Sequence, residues 1–181
     1  MTDEPMPELS QITEPRGVTT GLRAELIDCW TAVTNSGGAA GFPFPPVRDE
    51  DVAPAADRII GRLHPRGSRL LLARAGGALA GWVVLDRDPH RLVGHWGTVH
   101  HLQTRPGLRG RGIGSALMRE LRRAARDELG LEQLHLAARG GEGLEGFYGR
   151  LGWREVGRWP GALRLAPEDT RDEVLMLLAP L

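Results

Sequence analysis

The sequence predicts a mixed α/β fold in which helices pack against a single sheet. Three strand-like segments follow one another between residues 70 and 104, and the second half alternates between strand and helix. The chain has 181 residues, enough for one domain with a sizeable core. Hydrophobic residues make up 41% and charged residues 25%, which excludes overall disorder. We expect one domain over residues 19–181, preceded by a loose, Pro- and Glu-containing segment over residues 1–18.

Two helices are expected first. Apolar residues at helical spacing predict a helix over residues 20–34, with Thr19 or Thr20 as its cap. The proline-rich stretch 41–46 cannot form regular structure, because its prolines remove backbone donors, and is predicted to be a loop. One of the acids at 49–51 begins the second helix.

Three strands then precede a strong helix. The first two are predicted over residues 70–75 and 79–85, joined by a turn at Gly76-Gly77. The third is predicted over residues 95–104. After a Gly- and Arg-rich turn, apolar spacing predicts a helix over residues 115–129.

The C-terminal part continues the alternation. A strand is predicted over 131–138, a short helix over 143–151 and two strands over 153–159 and 174–178. The last of these, Val174-Leu175-Met176-Leu177-Leu178, is apolar throughout. It is read either as a buried strand or as one that pairs across a homodimer interface.

Composition excludes several classes of function. Lys plus Arg number 23 and Asp plus Glu number 23, so the broad positive field that nucleic-acid binding needs is lacking. A single cysteine, Cys29, excludes an internal disulfide, and the histidines lack metal-ligand spacing, so no metal is predicted. The N-terminus is acidic, and no run of about 20 apolar residues occurs. We therefore expect a cytoplasmic protein without a membrane segment.

The strongest chemical signal is a glycine-rich turn between a strand and a helix. Gly110, Gly112 and Gly114 permit unusual backbone angles and a close approach of amides to a ligand, and the N-terminus of a helix attracts an anion. Between Arg105 and Arg126 seven arginines accompany one acid. The turn therefore predicts a phosphate site, with Arg109 and Arg111 as contacts. A dinucleotide-binding turn or a plain tight loop is the alternative; the Gly-x-Gly-x-Gly spacing disfavours the dinucleotide site.

Two segments resemble the signatures of the GNAT superfamily of N-acetyltransferases. The first reads Leu102-Gln103-Thr104-Arg105-Pro106, then Arg109-Gly110-Arg111-Gly112-Ile113-Gly114-Ser115. The second reads Phe147-Tyr148-Gly149-Arg150-Leu151-Gly152-Trp153. The flanking sequence is more loosely similar to small bacterial members of the tabtoxin-resistance type.

The resemblance implies a fold and a co-substrate. The fold would be an α/β one with a mixed, mostly antiparallel central sheet, splayed around the cofactor and flanked by helices on both faces. The co-substrate would be acetyl-CoA, its pyrophosphate held by the turn and its acetyl carbonyl and pantetheine arm by the preceding strand. The implied cofactor-binding residues are Leu102, Gln103, Thr104, Arg109, Gly110, Arg111, Gly112, Ile113, Gly114 and Ser115.

The resemblance also implies catalytic residues. Tyr148 matches the general acid that protonates the departing thiolate, although a tyrosine packed on the core is the alternative. His100 stands where some members carry a glutamate that acts as the base, and an imidazole is a competent base at neutral pH, although a packed or surface histidine is the alternative. Because His101 is its neighbour on a strand, the two should face opposite sides. Gly141 departs from the pattern, since many members have an asparagine there.

The predicted activity is direct transfer of an acetyl group to an amine in a ternary complex. The acceptor is a small molecule or a peptide amine, and an acyl-CoA-binding sensor without catalysis is the alternative function. Acidic residues near the expected acceptor loops could attract a cationic amine, although helix capping and solvation explain them equally well. They are Asp49, Glu50, Asp51, Glu168 and Asp169.

Overall fold

One seven-stranded sheet organises the residues that the computed structural model describes, which are 6–38, 41–42 and 44–181. Its spatial order is β1-β2-β3-β4-β5-β7-β6. The strands are β1 (Glu8–Ile12), β2 (Ser68–Ala75), β3 (Ala78–Arg87), β4 (Trp96–Thr104), β5 (Gln133–Arg139), β6 (Arg154–Ala166) and β7 (Asp169–Leu178). The helices are α1 (Thr20–Asn35), α2 (Asp49–Gly61), α3 (Ile113–Asp127) and α4 (Leu144–Gly149).

The sheet opens between its two central strands. Every neighbouring pair is antiparallel except β4 and β5, which run parallel. Their pairing covers only Trp96–Thr98 of β4 against Gln133–His135 of β5. From Val99 onward β4 is paired with β3 alone, so the strands diverge and leave a gap. The mixed, splayed sheet that the sequence predicted is confirmed.

Helices cover both faces of the sheet, each over its own core. Because side chains alternate along a strand, β2 and β3 supply one set to each face. On the α3/α4 face the core includes Leu71, Ala73, Val83, Leu85, Leu117 and Leu121. On the α1/α2 face it includes Leu26, Trp30, Val52, Leu70, Leu72, Trp82 and Val84.

The expectation of a loose N-terminal segment is wrong for Glu8–Ile12. These residues form β1, the edge strand that pairs antiparallel with β2. The side chain of Gln11 donates to Glu128 at 2.9 Å and accepts from Arg69 at 3.1 Å, which ties the strand to the end of α3. The edge position needs only one buried face, so a short polar segment suffices. Residues 1–5 of that expectation, and Pro43 of the predicted loop, lie outside the described residues.

The last strand is internal rather than an interface strand. β7 pairs with β5 along one edge and with β6 along the other. Since both edges are used, β7 has no free backbone groups for a second copy, and the interpretation as a strand across a dimer interface is wrong. Within the described part of the chain, no helix combines the length and the apolar character needed to cross a membrane.

Candidate active site

The glycine-rich turn leaves the first amides of α3 available. Gly110 and Gly112 have φ of 81° and 78°, angles that glycine adopts at no steric cost. Among the described residues helix α3 has no side-chain cap, and its first hydrogen bond runs from Ala116 N to Gly112 O at 2.9 Å. By contrast, Thr19 Oγ1 caps α1 by accepting from Leu22 N at 3.1 Å. The unused donors at α3 suit an anion.

The two signature segments meet at the start of α3. A Cβ built on Gly114 would lie 3.4 Å from Phe147 Cζ and 3.6 Å from Thr104 Oγ1. The end of β4, the turn and α4 therefore border one another. A Cβ at these distances would make ordinary van der Waals contact, so the contact shows the close approach of the three segments rather than a steric requirement for glycine.

The predicted residues on β4 lie beside the gap in the sheet. Leu102 is half-buried against the core of the α3/α4 face. Gln103 is completely buried opposite Trp82. Its side-chain amide has no hydrogen-bond partner among the described residues. The backbone of this stretch lies where β5 has already diverged, so its outward groups are not taken up by the sheet.

The arginines of the turn differ in their surroundings. Arg109 Nη2 donates to Ser36 Oγ at 3.0 Å, at the C-terminal end of α1, where a cation is favoured by the helix dipole. Arg111 is exposed on the turn. Phosphate contact by either side chain stays a prediction.

Tyr148 lies at the inner side of α4. The residue is only 7% exposed, and its ring packs edge-to-face against Phe147 and Trp153, with centroid distances of 5.0 and 5.9 Å. Burial raises the pKa of Tyr148 to about 12, so its proton is retained at neutral pH. That property suits a general acid, but packing on the core fits the same contacts, and the catalytic role stays a prediction.

His100 and His101 do not face opposite sides, contrary to the strand-alternation argument. His100 pairs with Val84 and Gln103 with Trp82, so two residues of β4 oppose the single Val83 of β3. His101 within this bulge has φ of 56°, a left-handed conformation. The bulge re-aims the ring, and both imidazoles line one cavity with centroids 5.9 Å apart.

His100 lies beside a carboxylate near the end of β3. Asp86, still within β3, places Oδ2 3.6 Å from His100 Nε2 and 3.9 Å from Arg62 Nη2. Burial lowers the pKa of His100 below its ordinary value, which Asp86 partly opposes and Arg62 reinforces. The imidazole is therefore neutral at neutral pH, as a base must be.

His101 is held in an aromatic environment. Its ring centroid lies 4.7 Å from that of Trp30 and 6.1 Å from that of Trp82. Burial, followed by the neighbouring His100, lowers the pKa of His101 to about 4. The residue thus contributes an uncharged, planar wall rather than a charge.

Two adjoining cavities open on the α1/α2 face. The smaller, about 140 Å³, contains His100 and Asp86, and the larger, about 380 Å³, lies toward the loop after α1. Ile59, Arg62 and His101 line both. The larger cavity is also lined by Trp30, Gly41, Phe42, Ala55 and Arg58.

Sequence analysis missed most of this cavity wall. Arg58 and Arg62 were one turn apart on a predicted helix, and this spacing was the available signal. Trp30 belongs to the apolar pattern that predicted the first helix, and this pattern gave no sign of a cavity. None of the acids considered for a cationic amine lines either cavity among the described residues. The acids at 49–51 occupy the first turn of α2, at the opposite end of the helix from Arg62. Asp51 caps that end, because its Oδ2 accepts a hydrogen bond from Arg48 N at 2.8 Å.

Across the described ranges, no three His, Cys, Asp or Glu side chains are grouped as metal ligands would be.

Comparison with known proteins gives a consistent result. The model of the acetyltransferase (GNAT) family matches residues 22–153. A mycothiol acetyltransferase of Actinosynnema mirum is 40% identical over 111 residues, which are 59% of this chain and 35% of that protein. The matched region therefore spans about a third of that relative.

Solved structures share the fold. The ribosomal-protein-S18-alanine N-acetyltransferase from Escherichia coli superposes with a TM-score of 0.72 at 16% identity, over 97% of this chain and 94% of that one. A nourseothricin acetyltransferase superposes with a TM-score of 0.55 at 27% identity, over 63% of this chain and 66% of that one. The first likeness concerns the fold alone, because the identity is low.

Proposed function

The chain belongs to the acetyltransferase (GNAT) family, and on that premise we propose that it transfers the acetyl group of acetyl-CoA directly to an amine in a ternary complex. One observation carries the proposal. The gap between β4 and β5 opens next to the uncapped N-terminus of α3, so a cleft for an extended arm adjoins a site for a pyrophosphate.

The residues present fit this co-substrate. The amides from Gly110 to Ser115 would hold the pyrophosphate, since described residues leave the first turn of α3 uncapped. Backbone groups of Leu102, Gln103 and Thr104 would bind the arm and the acetyl carbonyl, because β5 does not pair with them.

The chemistry follows from the protonation states. Neutral His100, held by Asp86, removes a proton from the acceptor ammonium or from the attacking amine, directly or through water. The amine nitrogen forms a bond to the thioester carbonyl carbon, and backbone amides of β4 stabilise the oxyanion. The C–S bond then breaks, and Tyr148 gives its proton to the thiolate.

The relatives identify no acceptor for this chain. The Actinosynnema mirum protein is named a mycothiol acetyltransferase, but the alignment spans 35% of it. A cytoplasmic location and a homodimer remain predictions from the sequence.

The test begins with binding. A thermal-shift titration with acetyl-CoA, CoA and NAD should raise the melting temperature with both CoA species and not with NAD, because only a ligand of the native state stabilises it. Free-thiol release from acetyl-CoA should then depend on an added amine. Absence of a shift with either CoA species would overturn the proposal. Binding without turnover of any amine would favour the acyl-CoA sensor instead.

A further inference from the structure

We propose that the acceptor amine also carries an anionic group, and that Arg58 and Arg62 bind that group in the larger cavity. This inference rests on the proposed function and specifies its second substrate. The acceptor would place its amine beside His100 in the smaller cavity and its anionic group against the two guanidinium groups.

The two arginines form one surface. They are four residues apart at the end of α2, so their side chains are neighbours on the same helix face. Arg58 lines the larger cavity and Arg62 lines both, which continues the positive surface toward His100. Two guanidinium groups so placed match a carboxylate or a phosphonate, which accept paired hydrogen bonds.

The charges in the cavities leave an excess of positive charge. Arg58 has no ion pair among the described residues, and Arg62 has one weak contact, 3.9 Å from Asp86. Neighbouring Asp57 is committed elsewhere, since Arg23 Nε lies 2.6 Å from its Oδ1. Both histidines are neutral, so two cations face one carboxylate. A purely cationic amine would be repelled here, and an anionic group on the same molecule removes the repulsion.

The volume and the lining of the cavity also limit the size and the chemical character of the acceptor. A volume of about 380 Å³ is near the lower end of ligand pockets, roughly 300–1,000 Å³. Trp30 and Phe42 meet edge-on at 5.1 Å on its wall, and the His101 ring lies tilted against Trp30 at 4.7 Å. The acceptor is therefore a small molecule with an apolar or planar body.

The experiment compares matched acceptors with the full chain. L-amino acids, and aminophosphonates of similar shape, are each assayed against the carboxamide or the decarboxylated amine by thiol release from acetyl-CoA. We expect at least one acid to have a kcat/KM roughly ten- to a hundredfold above its carboxamide, the range for a charge-assisted hydrogen bond. The ratio of carboxylate to phosphonate activity identifies which anion the site takes.

Substitution then assigns the effect to the cavity. Arg58→Gln should raise the KM for the preferred acid about tenfold or more. The KM for the matching carboxamide and the KM for acetyl-CoA should not change. Arg66→Gln is the matched control, because Arg66 is exposed, close in sequence and lines neither cavity. Melting temperatures verify that both variants fold.

Three results would overturn the inference: carboxamides acetylated as well as the acids, no acid accepted while acetyl-CoA binds, or equal kinetics for Arg58→Gln and wild type. Failure to bind acetyl-CoA at all would count against the proposed function, so the two failures are distinguishable.

Discussion

The two ends of the proposed site are built from different parts of the chain. The cofactor end comes from one continuous stretch of chain, which runs from the last residues of β4 through the glycine turn to the first turn of α3. It offers mainly backbone amides. The acceptor end comes from α1, the loop after it, α2, β2, β3 and β4, and it offers side chains. Local backbone geometry creates the first, and long-range packing creates the second.

This difference teaches which changes should affect which substrate. A backbone site tolerates side-chain replacement but not replacement of a glycine with positive φ. A side-chain site responds to single polar substitutions. Substitutions at each end can test that division, beginning with the proposed general acid.

Tyr148→Phe should have the largest effect. The ring and its packing against Phe147 and Trp153 remain, so only the acidic proton is lost. We expect kcat to fall by roughly 10²–10⁴, the usual contribution of general acid catalysis, with an unchanged Kd for CoA. Steady-state kinetics and isothermal titration measure the two quantities. Wild-type kcat in a folded variant would make Tyr148 a core residue.

His100→Gln should lower kcat by about 10² at neutral pH, the lower end of the range for base catalysis, because His100 is exposed enough for water to substitute. In the wild type, the active neutral form prevails above the His100 pKa, which burial lowers. The kcat profile should therefore rise with pH, with its midpoint below the ordinary pKa of histidine, 6.5.

The neighbours of His100 should shift that rise in opposite directions. Asp86→Asn removes the charge that raises the pKa, so the rise should move to lower pH; Arg62→Gln removes a charge that lowers it, so the rise should move higher. An unmoved profile in both variants would indicate that another group titrates.

Gly112→Ala should weaken cofactor binding without touching the acceptor end. A non-glycine residue in the left-handed conformation costs roughly 1–2 kcal/mol, so the free variant should relax the turn and CoA binding must restore it, which should raise the Kd for CoA by up to about 5- to 30-fold. Gly107→Ala is the control, because a Cβ there meets no atom within 4 Å and φ is not positive. Equal Kd values for both variants would show that the turn does not hold the pyrophosphate.

Thr19→Ala should give the smallest effect and leave catalysis intact. Loss of the α1 cap should lower the free energy of unfolding by about 1 kcal/mol, measured by denaturant unfolding. Saturating acetyl-CoA should stabilise the variant and the wild type equally, since the ligand binds at α3. An altered Kd for CoA would mean that the two ends of the site are coupled.

The sequence was informative wherever the signal was local. Helix α1 begins after Thr19, one of its two predicted caps, and the turn at Gly76-Gly77 joins β2 to β3 as expected. Both signature segments lie on the elements assigned to them. The sequence was uninformative for β1, because a five-residue edge strand made mostly of polar residues has too little pattern to distinguish it from a loop.

The sequence by itself determined the order of the elements after β1, the glycine turn and the family, because these depend on neighbouring residues and on backbone angles that few residue types permit. The tertiary structure alone decided the acceptor end. The bulge at His101 arises from the mismatch of β4 against β3, and only the packing of α2 across β3 brings Arg62 to Asp86 and His100. Contacts between residues distant in the chain have no periodicity to read, so their chemistry becomes visible only when the chain is folded.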